Sequence, residues 1–237
     1  MRILITNHAL ANRAGSELYV RDLAIGLLRR GHEATAYSAK LGEVSQEIKA
    51  AGVPVIADFN ELTFQPDIIH GHHHLDTMTA LLRCPETPAI YVCHGSIPWE
   101  EAAPLFPRIL RYVAVDHACR DRMIFQDAIP PNRILVILNF VDLGRFTPRP
   151  QLPSRPRSAL IFSNQASEKT HLPAVRSACE RAGIHLDVVG SGAGKSCAEP
   201  EAVLGKYDIV FAKGRAALEA LAVGTAVVLC DAAGAGP

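Results

Sequence analysis

The chain has 237 residues, 49% of them hydrophobic and 20% charged, with 24 basic and 24 acidic side chains. That is an ordinary globular composition, long enough for one large domain or two small ones. The balanced charge offers no strong field for a nucleic-acid partner or a membrane surface, although a local basic patch would escape this count.

Taken in order, strand-like runs alternate with amphipathic helical stretches. Ile3 to Thr6 reads as a buried strand. A helix follows from about Ser16 to Arg30, with Ser16 or Asn12 as its cap, Arg29 and Arg30 suiting its negative end, and Gly31 as its stop. Then come a strand at Ala34–Tyr37, a helix near Val44–Ala51, and strands at Val53–Ile56 and Asp67–His70. A helix at Leu75–Leu82, strands at Ala89–Cys93 and Tyr112–Val115, a helix at His117–Phe125 and a strand at Ile134–Leu138 complete the first run. Helices between strands imply parallel pairing through right-handed crossovers, hence a doubly wound α/β sheet.

Residues 147–157 carry four prolines between Pro148 and Pro156 and read as an inter-domain linker after a first domain at 1–146. The pattern restarts over 158–237. Strands are expected at Ala159–Phe162, His185–Val189, Ile209–Phe211 and Ala226–Leu229, with helices at Leu172–Ala182 and Ala216–Ala222. The chain ends straight after the last of these strands, where a covering helix is expected, so the second domain reads as incomplete.

Cys84, Cys93, Cys119, Cys179, Cys197 and Cys230 form no C-x-x-C pair and have no zinc-finger spacing. They read as reduced thiols of a cytoplasmic protein. The apolar run Ile3–Ile5 is too short for a signal-peptide core, and no apolar stretch reaches the length of a membrane span.

Ligands of open parallel sheets bind beyond the carboxyl ends of the strands. Gly15, opening the first helix, lets backbone approach a ligand or simply ends a capped turn. Gly190-Ser191-Gly192-Ala193-Gly194-Lys195-Ser196 fails the P-loop test, because Val189 stands where the first glycine belongs. Gly190 and Gly192 remain as a turn near a nucleotide or as a plain strand-to-loop turn. Lys213 and Arg215 open a helix at its positive end, where a diphosphate is welcome. Arg215 and Glu219 share a helix face, as a surface ion pair or as a carboxylate waiting for ligand hydroxyls. His70, His72, His73 and His74 cluster, but adjacent histidines on an extended chain point apart, and no metal site is expected. His94, at a strand's carboxyl end, is the candidate catalytic residue.

These segments, in order, resemble the retaining glycosyltransferases of family 4. The resemblance is carried by Ala14-Gly15-Ser16-Glu17, Arg30-Gly31-His32-Glu33, Pro66-Asp67-Ile68-Ile69-His70-Gly71-His72 and Cys93-His94-Gly95. It continues through Val113 to Asp116, Asn139 to Phe146, Lys169, Leu186 to Gly192, and Leu218-Glu219-Ala220-Leu221-Ala222-Val223-Gly224-Thr225. It implies the GT-B fold of two Rossmann-like domains facing a cleft: an acceptor-side domain at 1–146 and a partial donor domain at 158–237. It implies transfer of a sugar from a UDP-, GDP- or ADP-sugar to a carbohydrate or lipid-linked acceptor with retained configuration, without cofactor or metal. It leaves room for peripheral membrane contact and gives no role to nucleic acid. Glu219 would hold the ribose, Lys169 the diphosphate, Gly15 would approach phosphate or acceptor, and His94 would line the donor sugar.

The departures are Asn164 for the family's arginine, Ala212 for its glutamate, Phe140 for the glycine of its Asn-Gly and Asp116 for its serine. Lys213 and Arg215 could restore the lost positive charge. The alternatives are a sugar-nucleotide epimerase, which needs a carboxylate pair that the sequence does not single out, and a degenerate nucleotide-binding fragment.

Overall fold

Alternation along the strands decides which helix each strand residue meets. In β1 (Arg2–Thr6) every residue after Arg2 is buried, so both faces of the strand must be covered. Ile3 and Ile5 pack with α1 (Gly15–Arg29), through Val20 and Ala24, and with α2 (Glu43–Ala50), through Val44 and Ile48. Leu4, on the other face, packs with Ala80 and Leu81 of α3 (His74–Arg83) and with Tyr91 and Tyr112.

The computed structural model describes residues 1–236 and divides the chain into two units, Met1–Asn139 and Phe140–Pro237. The first unit adds β2 (Glu33–Tyr37), β3 (Val55–Ile56), β4 (Ile68–His72), β5 (Ala89–Cys93), β6 (Ile109–Ala114), α4 (His117–Phe125) and β7 (Ile134–Val136). Its sheet runs β3-β2-β1-β4-β5-β6-β7 with every pair parallel. The order reverses between β1 and β4, which is the switch point where a doubly wound sheet opens a crevice. The strand expected at Asp67–His70 lies further on, so β4 carries both His70 and His72. Neither Ser16 nor Asn12 caps α1: Ala14 holds that position without a side-chain bond, and Ser16 Oγ donates to Glu17 Oε2 at 2.9 Å.

The second unit holds β8 (Ser158–Phe162), α5 (Leu172–Ala182), β9 (His185–Val189), β10 (Ile209–Ala212), α6 (Gly214–Ala222), β11 (Ala226–Asp231) and β12 (Gly234–Gly236). Its sheet runs β12-β11-β10-β8-β9. Four strands are parallel, as the pattern implies, and β12 adds an antiparallel edge where a helix was expected. Ala159 and Ile161 pack with Leu172, Val175 and Cys179 of α5. Leu160, Val210 and Ala212 pack with Ala217 and Ala220 of α6. Both faces of the sheet therefore carry a core, and Phe140, Leu143, Leu221 and Leu229 are the exposed large apolar side chains among the unit's described residues.

The proline-rich segment is not a free linker. The division falls between Asn139 and Phe140, and Phe146 is fully buried in the second unit's core beside Leu160 and Val210. Arg149 donates its backbone N–H to Val223 O at 2.9 Å and its guanidinium to Tyr207 O and to Asp208 Oδ1. Asp208 Oδ2 accepts from the backbone of Arg157 at 2.8 Å and Ser158 at 3.2 Å. Proline stiffens the segment, but the residues between the prolines still reach partners. Among the described residues no helix is long and apolar enough to cross a membrane.

Candidate functional site

The first unit's switch point is lined with histidines. His70 and His72, two apart on β4, share a face, and their rings stack at 4.8 Å with Nδ1 of His70 2.9 Å from Nε2 of His72. His94 follows β5, the parallel neighbour of β4, and its ring lies nearly parallel to that of His72, with centroids 4.9 Å apart. Nε2 of His94 lies 2.6 Å from Nδ1 of His72. Tyr19 of α1 meets both rings edge-on, 4.8 Å from His94 and 5.5 Å from His72.

His73 leaves this face because its backbone turns to φ 63°, unusual for a residue with a Cβ. Its ring is held at both nitrogens: Nδ1 lies 3.2 Å from His8 N, and Nε2 lies 3.3 Å from Glu101 Oε1. Glu101 Oε2 accepts the backbone N–H of His94 at 2.8 Å. His8 Nδ1 stands 3.5 Å from Asp76 Oδ2, and His8 Nε2 3.0 Å from Lys40 Nζ. Asp76 Oδ2 and Asn7 Oδ1 are buried and accept no hydrogen bond.

Burial sets the charge states. It drives the imidazoles of His70 and His94 down to about 4, with repulsion from His94 adding to it at His70, and with Glu101 opposing it and His73 adding to it at His94; it also holds His72 well below the usual histidine value. These three rings are therefore neutral near pH 7. Burial opposes the charge on His73 as well, but the hydrogen bond and attraction of Glu101 outweigh it and raise His73. Burial pushes Glu101 upward, and the His73 and His94 contacts more than offset that, so it stays ionised. Asp76 is pushed up by burial, against the pull of His8 and His73. A single metal ion does not suit the three neutral rings. His72 turns opposite nitrogens to its two neighbours, so the three lone pairs do not converge, and no metal-binding group of three ligands occurs among the described residues.

The second unit's switch point lies between β8 and β10. Gly190, after β9, has φ 150°, and a Cβ there would stand 1.9 Å from Ser163 O. A Cβ on Gly192 would stand 2.6 Å from Asn164 O. Asn164 clasps this turn, accepting Gly192 N at its carbonyl at 3.0 Å and Ser191 N at Oδ1 at 3.1 Å. Position 164, where the family resemblance expects a charge, thus carries a turn-holding amide. Lys213 and Gly214 lead into α6. Lys213 Nζ donates to Asp231 Oδ2 at 2.6 Å, and Arg215 Nε to Glu219 Oε1 at 2.7 Å. The Arg215–Glu219 pair is not a surface pair, since Glu219 is only 4% exposed. Lys169 is exposed on the loop between β8 and α5. Gly15 is exposed at the start of α1, with open space where a Cβ would be.

Of the residues singled out in the sequence, the fold therefore brings Gly190 and Gly192 onto the Asn164 loop, pairs Arg215 with Glu219, and ties Lys213 to Asp231. His72 and His73 stand out there only as members of a histidine cluster, and Tyr19, Asp76 and Glu101 are given no role. The spacing of two between His70 and His72, set on the strand beside the one leading to His94, was the available signal. A cavity of about 420 Å³, lined by Phe59, Leu62, Phe64, Arg83 and neighbouring residues, lies on segments that precede β4 and β5 and so at the opposite end of the sheet.

Residues 57–145 match the model of Glycosyltransferase Family 4. The family recognised in the motifs is the one whose model matches, and the match spans His70, His72, His73, His94 and Glu101. A glycosyltransferase from Rickettsia africae superposes with a TM-score of 0.69 at 15% identity, covering 95% of this chain and 78% of that one. Anabaena Alr3699/HepE, solved with UDP and glucose, gives 0.66 at 16%, covering 98% and 81%. Sucrose-phosphate synthase from Thermosynechococcus elongatus gives 0.62 at 12%, covering 95% and 80%. The fold is thus that of GT-B glycosyltransferases, built from two Rossmann-like units. The chain matches no curated protein sequence.

Proposed function

We propose that the chain transfers a sugar from a nucleotide-sugar donor to an acceptor hydroxyl, with retention of configuration at the sugar. The observation that carries this reading is Glu219: a carboxylate 4% exposed on α6, next to the switch point of the second sheet, with Arg215 beside it. An acceptor-only side chain there suits the two hydroxyls of a ribose. The glycine turn at Gly190 and Gly192 and the first turn of α6 supply backbone N–H groups, and Lys169, Lys213 and Arg215 supply charge for the diphosphate.

In the reaction the bond from the anomeric carbon to the diphosphate oxygen breaks, and a bond to the acceptor oxygen forms on the same face. The acceptor's proton leaves with the diphosphate. The protein's part is positioning and stabilising the departing charge. These cations meet that charge without a metal, so chelator should leave donor affinity intact. His94 lines the sugar in this reading. The donor belongs to the second unit and the acceptor to the first.

Ile97 and Trp99, 90% and 60% exposed, lie within the His94–Glu101 segment and favour an acceptor with an apolar part, such as a lipid-linked sugar at a membrane surface. The unpaired thiols, five of them buried, suit the cytoplasm.

The epimerase alternative draws on the name of one similar structure, at TM-score 0.56. Asp76 and Glu101 do flank His73, but Glu101 spends both oxygens on His73 and on the His94 backbone, so it does not serve as the second member of an acid–base pair. Calorimetric titration with UDP, GDP and ADP and their sugar conjugates tests the main reading. One nucleotide should bind, and Glu219→Ala should weaken it at least tenfold. Binding unchanged by that substitution overturns the assignment of Glu219. Binding without transfer to any acceptor would favour the degenerate module.

A further inference from the structure

We infer that His72 and His70 form a tautomeric relay that positions His94 and sets which of its ring nitrogens carries the proton. The inference deepens the reading of His94 as a sugar-lining residue, and only its kinetic arm rests on that reading.

A neutral imidazole has one N–H and one lone pair. Two linked contacts, His70 Nδ1 to His72 Nε2 at 2.9 Å and His72 Nδ1 to His94 Nε2 at 2.6 Å, therefore allow two self-consistent patterns. In one, His70 and His72 each carry the proton on Nδ1 and donate toward His94, whose Nε2 accepts and whose Nδ1 bears the third proton. In the other, His94 and His72 each carry it on Nε2 and donate toward His70, leaving a lone pair on His94 Nδ1. Mixed patterns place two protons or two lone pairs face to face. His94 Nδ1 can thus change from donor to acceptor only if His72 and His70 change with it, and the net charge of the cluster stays constant throughout.

The remaining edges of the ring are fenced. Tyr19 closes one side at 4.8 Å, His72 meets the Nε2 edge, and Glu101 holds the backbone N–H at 2.8 Å. The charged or titratable groups around the relay are His73 and Glu101 on the α3 and β5 sides, with His8, Asp76 and Lys40 beyond them. His73 and Glu101 pair with each other, so neither needs to exchange a proton with the relay. A ligand hydroxyl or phosphate oxygen beside His94 would meet a donor or an acceptor of fixed direction. That specificity comes from His72, in contact with His94, and from His70 behind it.

Nitrogen-15 histidine spectra of the full chain read the tautomers directly, without any need for activity. In the unsubstituted protein His94 should be one tautomer, shared in sense with His72 and His70. In His72→Phe, which keeps a ring but no nitrogen, His94 should become a mixture of tautomers. In His72→Asn, whose amide can still donate from the Nδ1 position, the single tautomer should return. His70→Phe tests the far end in case the buried position 72 does not tolerate phenylalanine. An unchanged His94 spectrum in both Phe variants overturns the relay. In transfer assays His72→Phe should lower kcat about tenfold with the donor KM unchanged, and His72→Asn should recover much of that loss. A raised KM with kcat intact would instead mean that His72 is only packing. If no transfer occurs in any variant while the tautomer coupling is present, the glycosyltransferase reading fails and the relay stands.

Discussion

At the carboxyl ends of β4 and β5 the first unit gathers imidazoles and carboxylates that contact one another. At the matching ends of β8, β9 and β10 the second unit presents glycine backbone, an amide and cations. The topologies correspond: β10 lies beside β8 as β4 lies beside β1, and each strand turns at once into a helix. Each turn also needs a positive φ, 63° at His73 and 57° at Gly214. Glycine adopts that backbone freely, whereas a histidine does so at a cost of about 1–3 kcal/mol. His73 is held there because both its ring nitrogens are engaged, by His8 N and by Glu101. The comparison teaches that one turn can be made permissive by composition or imposed by a network. The imposed one carries the titrating chemistry.

The largest expected effect is a difference in acid sensitivity. His70 and His94 bind protons near pH 4 when folded and near 6.5 when unfolded, so between those values the unfolded state holds more protons. Stability of the first unit should fall as pH drops from 6.5 toward 4, by up to about 3 kcal/mol for each of these rings. His72 adds to the loss. His73, whose folded value is raised, opposes it. The second unit, with only His171 and His185, should change far less over this range. Hydrogen exchange read peptide by peptide on the full chain separates the two, and equal acid sensitivity would break the contrast. Next in size is Phe146→Ala. It removes a fully buried ring and should cost the second unit about 4 kcal/mol while leaving protection in the first unit unchanged. Loss of protection in the first unit instead would return residues 140–146 to it.

The two regions were unequally legible in the sequence. Strand and helix order could be read because periodicity is local, and His117–Phe125, Leu172–Ala182 and His185–Val189 have the expected bounds. The glycine turn was legible for the same reason, since Gly190 and Gly192 lie within one stretch of chain. The histidine network was not. Its contacts join residues far apart in the chain, such as His8 to His73, His72 to His94 and His73 to Glu101, and only the parallel register of β1, β4 and β5 brings them together. The linker misled because proline content reports backbone stiffness and says nothing of where Phe146 or Arg149 finds a partner. Glu219's need for a partner was visible, whereas the depth of its burial was a product of packing.

Glu101→Gln tests the imposed turn, at an expected cost of about 3 kcal/mol near pH 6, because it leaves a buried His73 without its counter-charge. The pH dependence gives the signature. Glu101, with its folded value lowered, contributes fully above the unfolded carboxylate value of about 4.3 and loses that contribution as pH falls through the folded value. His73, with its folded value raised, contributes fully below about 6.5 and loses that contribution as pH rises through its folded value. The cost of the substitution should therefore peak between about 4.3 and 6.5 and shrink on either side. A cost independent of pH in urea titrations would mean that Glu101 acts through packing alone.

The smallest effect sharpens the comparison most directly. Gly214→Ala places a Cβ at φ 57° with nothing within 4 Å of it, so no clash contributes and only the backbone preference is lost. The expected cost is about 1 kcal/mol, confined to the second unit. The reciprocal change, His73→Gly, relieves the same strain in the first unit but removes the ring that joins His8 to Glu101. It should therefore destabilise, with a sign opposite to that expected from backbone preference alone. If His73→Gly stabilised the chain in urea titrations, the network would not be what imposes the turn, and the two switch points would differ only in the residue that happens to occupy them.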